Sequence, residues 1–232
     1  MTQETVTAFD QILSSIRGLA TTALLTLHLD IRLGVIHMLN RTLSAPYLLA
    51  HPAQDPDPSI LSLNADLLSF IDTLSTHLSP HAKDFIIHGL ALLIDTLLVS
   101  NASHIIKGMN EHGCGRMQLN ILVLSQNLKS IETITTNNNK NNKNNTNDDA
   151  SIDLVRSGRF YDLFMEGADS IVARARDRGG EGLGSFDLEE LKCLVELWYK
   201  EGTESSSREV EVRSNRDLGD RLLVLSECLW NR

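Results

Sequence analysis

Aromatic side chains are scarce in this sequence. They make up 5% of its 232 residues, although 42% of the residues are hydrophobic. A β-sandwich fills its core with aromatic and β-branched side chains on alternating positions, and no stretch of alternating valine, isoleucine and threonine is long enough here to predict a strand. The scarcity therefore argues against a sandwich of short strands. It favours an all-α fold with a leucine-rich core.

Basic residues are outnumbered by acidic ones. The chain has 21 lysines and arginines against 30 aspartates and glutamates, so its formal net charge is −9. A protein that binds nucleic acid without sequence preference needs an excess of positive charge to neutralise phosphates. The charge balance therefore excludes a general nucleic-acid binder.

Cysteines are few. Cys114, Cys193 and Cys228 are odd in number, lie far apart and form no C-x-x-C pair. The first ten residues have neither the basic start nor the apolar core of a secretory signal. We therefore expect a cytoplasmic protein whose thiols are reduced.

One apolar run resembles a membrane span in composition. The run FIIHGLALLIDTLLV has fifteen residues and contains His88 and Asp95, whereas a helix that crosses a bilayer needs about 20 apolar residues. The run is shorter than that and carries polar groups. It predicts a buried bundle helix, with a membrane span as the alternative.

Proline is concentrated in one loop, SAPYLLAHPAQDPDPS, which holds four of the five prolines. Before this loop, apolar residues at helical spacing predict one long helix that starts near Phe9 and ends before Pro46. A second apolar row runs along the same helix. It predicts that the second half of the helix lies inside a bundle, and it consists of Leu25, Leu29, Leu33 and Ile36.

Six further helices are predicted by apolar spacing. Asp57 and Pro58 form the start signal of the second helix, and Asp187 and Glu190 are placed as the capping box of the sixth. The others begin near His81, Cys114, Ile152 and Leu218, and the fifth ends near Gly179. The sequence thus predicts an elongated bundle of about seven helices.

An asparagine-rich tract, residues 135–151, interrupts the helical pattern. Eight of the eleven residues from 137 to 147 are asparagine, and none is apolar. Such a segment has no hydrophobic face to offset the entropy lost on ordering. We expect a disordered loop inserted into a single bundle that spans residues 1–232, because the helices on either side need each other to bury their apolar faces.

Candidate chemical groups are isolated from one another. His77 and His81 have the spacing of two metal ligands, with His112 and Cys114 as further candidates, but Pro80 breaks the helix that would align the first pair. Cys114 lies at a predicted helix start, where the pKa of a thiol can fall, and His112 is its only neighbouring base. A half-buried thiol in a helix-to-helix turn is the favoured interpretation.

Three other segments have both a functional and a structural interpretation. GGEGLG, residues 179–184, resembles a phosphate loop but follows a helix rather than a strand. Arg174, Arg176 and Arg178 suit anionic lipid heads or an acidic partner, but they also suit the solvated last turn of a helix. Residues 205–207 are a serine cluster that a kinase could modify. In each case the structural interpretation is favoured, so the sequence predicts no catalytic residue, no cofactor and no metal site.

Four segments resemble consecutive parts of one family, the exocyst subunit Sec eight: residues 27–43, 55–74, 85–131 and 159–172. The most specific likeness lies in three places. They are His28 followed by Asp30 and Arg32, the Asp57–Pro58 start followed by Leu63 and Asn64, and the phrase LVLSQNL at residues 122–128. Members of this family are several times longer, so the resemblance is to their C-terminal end.

The resemblance implies a non-enzymatic, helical-rod scaffold. Such a subunit tethers secretory vesicles to the plasma membrane before fusion, and it acts from the cytoplasm at sites of secretion. The implied partners are other exocyst subunits, Sec six among them, with vesicle and plasma membrane engaged indirectly. No nucleic acid, small-molecule substrate or cofactor is implied. The alternative is a helical module that binds a partner helix in a groove and is unrelated to tethering.

The two alternatives predict different exposed surfaces. A rod segment should expose apolar side chains at its N-terminal end, where Phe9, Ile12, Ile16 and Leu19 are the candidates. A groove binder should expose apolar side chains in a concave strip.

Overall fold

The computed structural model describes residues 3–136, 154–176, 186–200 and 208–230. These ranges are almost entirely helical, with one isolated bridge between Tyr47 and Met109 as their only extended pairing. The all-α class is therefore confirmed. The helices are α1 (Gln3–Leu43), α2 (Pro58–His77), α3 (Pro80–Ile87), α4 (Leu90–Ser100), α5 (Ala102–Ile105), α6 (Glu111–Thr136), α7 (Val155–Glu166), α8 (Ala168–Arg176), α9 (Leu188–Lys200) and α10 (Arg208–Trp230).

Two of the seven predicted helices are broken in the structure. The third is divided into α3, α4 and α5, and the fifth into α7 and α8. The break between α3 and α4 and the break between α7 and α8 each fall at a glycine with positive φ, Gly89 at 74° and Gly167 at 88°, a conformation that other residues adopt only with strain. The predicted end of the fifth helix near Gly179 lies outside the described residues.

The start of α2 is formed as its sequence predicts. The Asp57 carboxylate accepts a hydrogen bond from the Ser59 N–H at 2.8 Å, and Pro58 occupies the first helical turn. Arg116 on α6 pairs with the same carboxylate at 2.7 Å. The buried face of the helix follows the predicted spacing and consists of Ile60, Leu63, Leu67, Ile71 and Leu74.

The proline-rich loop is held against the start of α6 by one asparagine. The Asn110 side chain accepts from the Leu49 N–H at 3.2 Å and donates to the Leu49 carbonyl at 2.7 Å. Its oxygen also accepts from the Gly113 N–H at 2.9 Å, which satisfies a free donor of the first turn of α6. The loop backbone comes so close at Tyr47 that only glycine fits at position 113.

Buried polar groups join the α4, α7 and α9 helices. Leu154 precedes α7 and offers no capping side chain. Asp95 of α4 takes that role instead, accepting from the N–H groups of Arg156 at 3.2 Å and Ser157 at 2.7 Å. Glu190 completes the predicted capping box with Asp187 and also pairs with Arg156 at 2.5 Å.

The hydrophobic core is one contiguous cluster in the described residues. It takes in the second half of α1, the inner faces of α2, α4 and α6, and side chains of α7, α8, α9 and α10. Phe160 and Phe164 are buried in it, whereas Trp198 remains 40% exposed and lies over Gly167. Helix α6 packs between α2 and α7, so the segments before and after the asparagine-rich tract share this cluster.

The prediction that the second half of α1 is covered on two sides is wrong. One side is buried through Ile31, Val35 and Leu39 against helices that follow it. On the other side Leu25, Leu29 and Leu33 are 46%, 57% and 64% exposed, and Ile36, the last residue of the predicted row, is half-buried. No described helix packs over that side, so an apolar row that periodicity assigns to the core faces outward.

Candidate functional site

The Cys114 thiol is a core group. It is fully buried in the first turn of α6 and donates to the Tyr161 carbonyl at 3.3 Å. Burial, with Asp162 and Glu111 nearby, raises its pKa to about 12. The thiol therefore stays protonated at neutral pH and lacks the thiolate that a nucleophile needs. The thiol was predicted to be half-buried in a helix-to-helix turn; it is instead completely buried, and it lies within α6.

We expect the three cysteines to differ in reactivity. Burial raises the pKa of Cys193 to about 12 as well, whereas Cys228 is half-exposed on α10. Iodoacetamide at pH 8 should modify one thiol in the native chain and three after denaturation, because only thiolate reacts and access is needed. Intact-mass spectrometry with peptide mapping measures this. Rapid native labelling of Cys114 would contradict the buried placement.

The other candidate groups are dispersed. His77 ends α2 and His81 lies in the first turn of α3, both exposed, and no group of three or more metal-ligating side chains exists within the described ranges. Arg174 pairs with Glu166 at 2.7 Å on the surface of α8. Arg178, the glycine-rich segment 179–184 and the serine cluster 205–207 lie outside the described residues.

The residues that carry the family resemblance join helices to one another. His28 of α1 is within 3.0 Å of the Phe85 carbonyl and stacks on the Phe85 ring. Arg32 donates to the Ile86 carbonyl at 3.0 Å and to the His88 carbonyl. These bonds satisfy the last carbonyls of α3, which otherwise have no partner within the helix. A basic residue also interacts favourably with the negative end of a helix dipole.

A second set of hydrogen bonds connects the other two motifs that carry the family resemblance. Asn127, in the LVLSQNL phrase of α6, donates to the Asn64 side-chain oxygen at 3.0 Å. Asn64 in turn donates to the Val123 carbonyl at 3.4 Å. This pair fixes the register between α2 and α6. The motifs thus have structural roles in the part of the chain that the structure describes.

Helix α1 carries an extended exposed apolar surface, and its first part we name the projecting stripe. It belongs to residues 3–23, where Leu13 is half-buried and every other side chain whose burial the structure describes is exposed, so this half of α1 stands clear of the other described helices. The predicted residues Phe9, Ile12, Ile16 and Leu19 are 57%, 58%, 57% and 73% exposed, as expected for a rod segment. The stripe consists of Val6, Phe9, Ile12, Leu13, Ile16, Leu19, Ala20 and Ala23.

The second part of this surface we name the lateral strip: Leu25, Leu29 and Leu33. Their spacing of four residues makes a ridge along α1 on the side away from Ile31 and Val35. Ridges of this kind pack into the groove of a neighbouring helix. Apolar side chains at such exposed positions mark a surface for another protein when they are contiguous.

Two helical stretches, Thr5–Leu43 and Pro80–Ile105, are long and apolar enough to cross a membrane by length and composition alone. The second is interrupted at Gly89 and contributes Ile86, Leu90 and Ile94 to the core. It is therefore a run of core helices, as predicted. The first contains the projecting stripe and the lateral strip.

The described residues form a helical bundle, and its first helix exposes two apolar faces, the projecting stripe and the lateral strip. These properties are those of a helical scaffold protein. No family model matches the chain. Over 269 aligned residues the chain is 38% identical to the probable exocyst complex component sec8 of Neurospora crassa, with 99% of this chain and 23% of that protein covered. The chain belongs to the exocyst component sec8 family.

More distant relatives agree. The chain is 25% identical to the exocyst complex component sec8 of Schizosaccharomyces pombe over 193 residues, which are 83% of this chain and 16% of that protein. It is 25% identical to the human exocyst complex component 4 over 182 residues, 77% of this chain and 17% of the relative. The chain thus spans less than a quarter of the length of these relatives. A groove binder unrelated to tethering is not favoured.

Proposed function

We propose that the chain is a non-enzymatic structural segment of an exocyst subunit, corresponding to the C-terminal region of the longer relatives. In this role it helps to tether secretory vesicles to the plasma membrane before fusion, from the cytoplasmic side at sites of secretion. The 38% identity over nearly the whole chain supports this role. The burial of Cys114 and the dispersal of the histidines also support it, because neither arrangement suits a reaction.

The segment acts by holding helices at fixed positions. The ties at Arg32, Asn127 and Asp95 connect helices that are far apart in sequence, and a close-packed core transmits force with little deformation. The observation that carries the proposal is that α1 is apolar on two sides while the described helices bury one. We infer that a helix of another exocyst subunit, Sec six being the first candidate, packs on the lateral strip.

We also propose that residues 1–232 form one bundle in which residues 135–151 are an inserted loop. The shared hydrophobic cluster supports this arrangement, because α7 packs on both α4 and α6. Asp95 supports it further, since it caps α7 from a helix on the other side of the tract.

Replacing Leu29 by glutamate should detach the chain from its complex. The Leu29 side chain is 57% exposed, so the fold should be retained. An unpaired charge in the middle of an apolar interface weakens binding by roughly several kcal/mol. The tagged chain is purified from its own cells, and co-purifying exocyst subunits are quantified by mass spectrometry. We expect at least a tenfold lower recovery than for the unchanged chain.

The matched control is Gly34→Glu, which places the same charge on an exposed position of α1 on a different side of the helix from Leu29, where an added Cβ meets no other atom within 4 Å. It should leave recovery unchanged. Equal recovery with Leu29→Glu would overturn the assignment of the lateral strip. Recovery of no exocyst subunit by the unchanged chain would count against the proposed function itself.

A further inference from the structure

Lys83 of α3 is a buried cation without a counter-ion. Its side chain is 3% exposed, and its ammonium group forms no hydrogen bond or ion pair with any residue that the structure describes. Burying an unpaired charge is among the most costly arrangements in a folded protein. The packing of α3 against the bundle therefore contains a contribution that opposes it.

Helix α3 also buries little apolar surface in return. Among its eight residues, Ile86 is the one apolar side chain that is fully buried. Helix α4 is three residues longer and buries Leu90, Ile94, Leu98 and Val99. Stabilisation by the hydrophobic effect scales with the apolar area removed from water, and a helix as short as α3 is not stable by itself. The hydrophobic effect therefore holds α3 in the bundle much more weakly than α4.

The hydrogen bonds that hold α3 against the bundle come from α1. Arg32 donates to the Ile86 carbonyl at 3.0 Å and to the His88 carbonyl, and His28 lies within 3.0 Å of the Phe85 carbonyl. In the part of the chain that the structure describes, α3 has no hydrogen bond to any helix other than α1. Its place in the bundle thus depends on two side chains of one neighbour.

Non-helical residues flank α3 on both sides. Leu78 and Ser79 before it are extended, with ψ angles of 150° and 156°. Gly89 after it has a φ of 74°. A few residues at the ends of helices are the usual hinges of protein motion, because they absorb changes in φ and ψ. Helix α3 can therefore leave the bundle while the hydrogen bonds within α2 and α4 are kept.

We propose that α3 is a local unfolding unit, which opens and closes while the rest of the bundle stays folded, and that Arg32 of α1 sets the balance between the two states. The inference goes beyond the proposed function and does not depend on it. The buried Lys83 charge favours the open state, and the Arg32 hydrogen bonds favour the closed state. Because Arg32 belongs to α1, a partner that shifts α1 near this residue changes the fraction of open α3.

Amide hydrogen exchange in the full 232-residue chain, followed by mass spectrometry, measures this opening. The amides of residues 83–88 are bonded within α3, from the Lys83 N–H to the Ser79 carbonyl up to the His88 N–H to the Asp84 carbonyl. After correction for intrinsic rates, we expect them to exchange at least about tenfold faster than the amides of residues 94–100 in α4.

Lys83→Met removes the buried charge and keeps the length of the side chain. It should slow exchange at residues 83–88 about tenfold, because closure no longer buries an unpaired ammonium group. Lys107→Met is the matched control, since it makes the same change at an exposed lysine. It should leave exchange in α3 unchanged.

Arg32→Gln removes the guanidinium that binds the last carbonyls of α3. It should speed exchange at residues 83–88 about tenfold, because those carbonyls lose a charged donor. The amides of residues 159–166 in α7 should keep their rates. The matched control is Arg41→Gln, at an exposed arginine of the same helix, and it should leave α3 unchanged.

The other outcomes overturn the proposal. Equal exchange rates in α3 and α4 would mean that α3 opens only when the whole bundle unfolds. Faster exchange in Lys83→Met would make the ammonium group a stabilising contact of α3. Equal acceleration of all helices by Arg32→Gln, or no acceleration at all, would remove Arg32 from the control of α3. The Lys83→Met arm does not require the Arg32 variant to fold, since removing the charge is expected to stabilise the chain.

Discussion

Replacing Gly113 by alanine should destabilise the fold by at least about 3 kcal/mol, in the range reached only by the most disruptive single substitutions. A Cβ at this position would lie 1.8 Å from the Tyr47 carbonyl oxygen and 2.6 Å from its carbon. The obstacle is backbone, and that backbone is fixed by the Asn110 bonds to Leu49. The loop or the start of α6 must therefore move. Urea unfolding followed by circular dichroism measures the loss.

Gly115→Ala is the matched control for this substitution. It lies two residues further along α6, and a Cβ there has no other atom within 4 Å. Alanine in the interior of a helix is more favourable than glycine by about 0.5–1 kcal/mol. We expect the variant to be as stable as the unchanged chain or slightly more stable. Similar losses at both positions would mean that Tyr47 is not where the structure places it.

Asp95→Ala should lower the free energy of unfolding by about 3 kcal/mol. The carboxylate is almost completely buried and accepts from two N–H groups at the start of α7. Alanine would remove the acceptor of the buried Ser157 N–H, which costs about 1–3 kcal/mol, and would also remove the weaker bond from the half-buried Arg156 N–H. The N-terminus of α7 would also lose a favourable negative charge.

Asp95→Asn separates the hydrogen bonds from the charge. Its side-chain oxygen can still accept from the Ser157 N–H, so the loss should fall to about half of that seen with alanine. Thr96→Ala, at an exposed neighbouring position of α4, should change stability by no more than about 0.5 kcal/mol. If Asp95→Ala were as stable as the unchanged chain, Asp95 would not be the residue that caps α7.

Local signals in the sequence predicted the helices whose ends are capped by their own residues. Asp57 and Pro58 start α2, and Asp187 with Glu190 starts α9, as the spacing indicated. In both cases the hydrogen bonds join residues two or three positions apart. Short-range bonds of this kind leave a pattern that can be recognised without a structure.

The break between α3 and α4 depends on a distant residue. The local sequence signal for this break is Gly89, which lies in the middle of an apolar run. A glycine inside a helical pattern makes an unbroken helix less favourable. The carbonyls that the break frees are satisfied by Arg32, more than 50 residues earlier. Asp95 likewise caps α7 from about 60 residues away. Periodicity contains no information about such partners.

The candidate surface was predicted in part. The exposure of Phe9, Ile12, Ile16 and Leu19 was expected from their place before the recognisable family segment, and the structure confirms it. The exposure of Leu25, Leu29 and Leu33 was not expected. Two apolar rows on one helix indicate that two of its sides are buried. They do not show whether helices of this same chain pack against both sides.

Helix α1 runs without interruption from its exposed half into the core. The direction in which the projecting stripe faces is therefore tied to the body by the number of residues between them. Each residue adds about 100° of rotation and 1.5 Å of length, so one residue gained or lost near Ala23 would turn a bound neighbour by more than a quarter of a circle. A change of seven residues would keep the direction to within about 20°. The angle at which this body meets its neighbour is thus set by the length of one helical stretch as well as by its side chains.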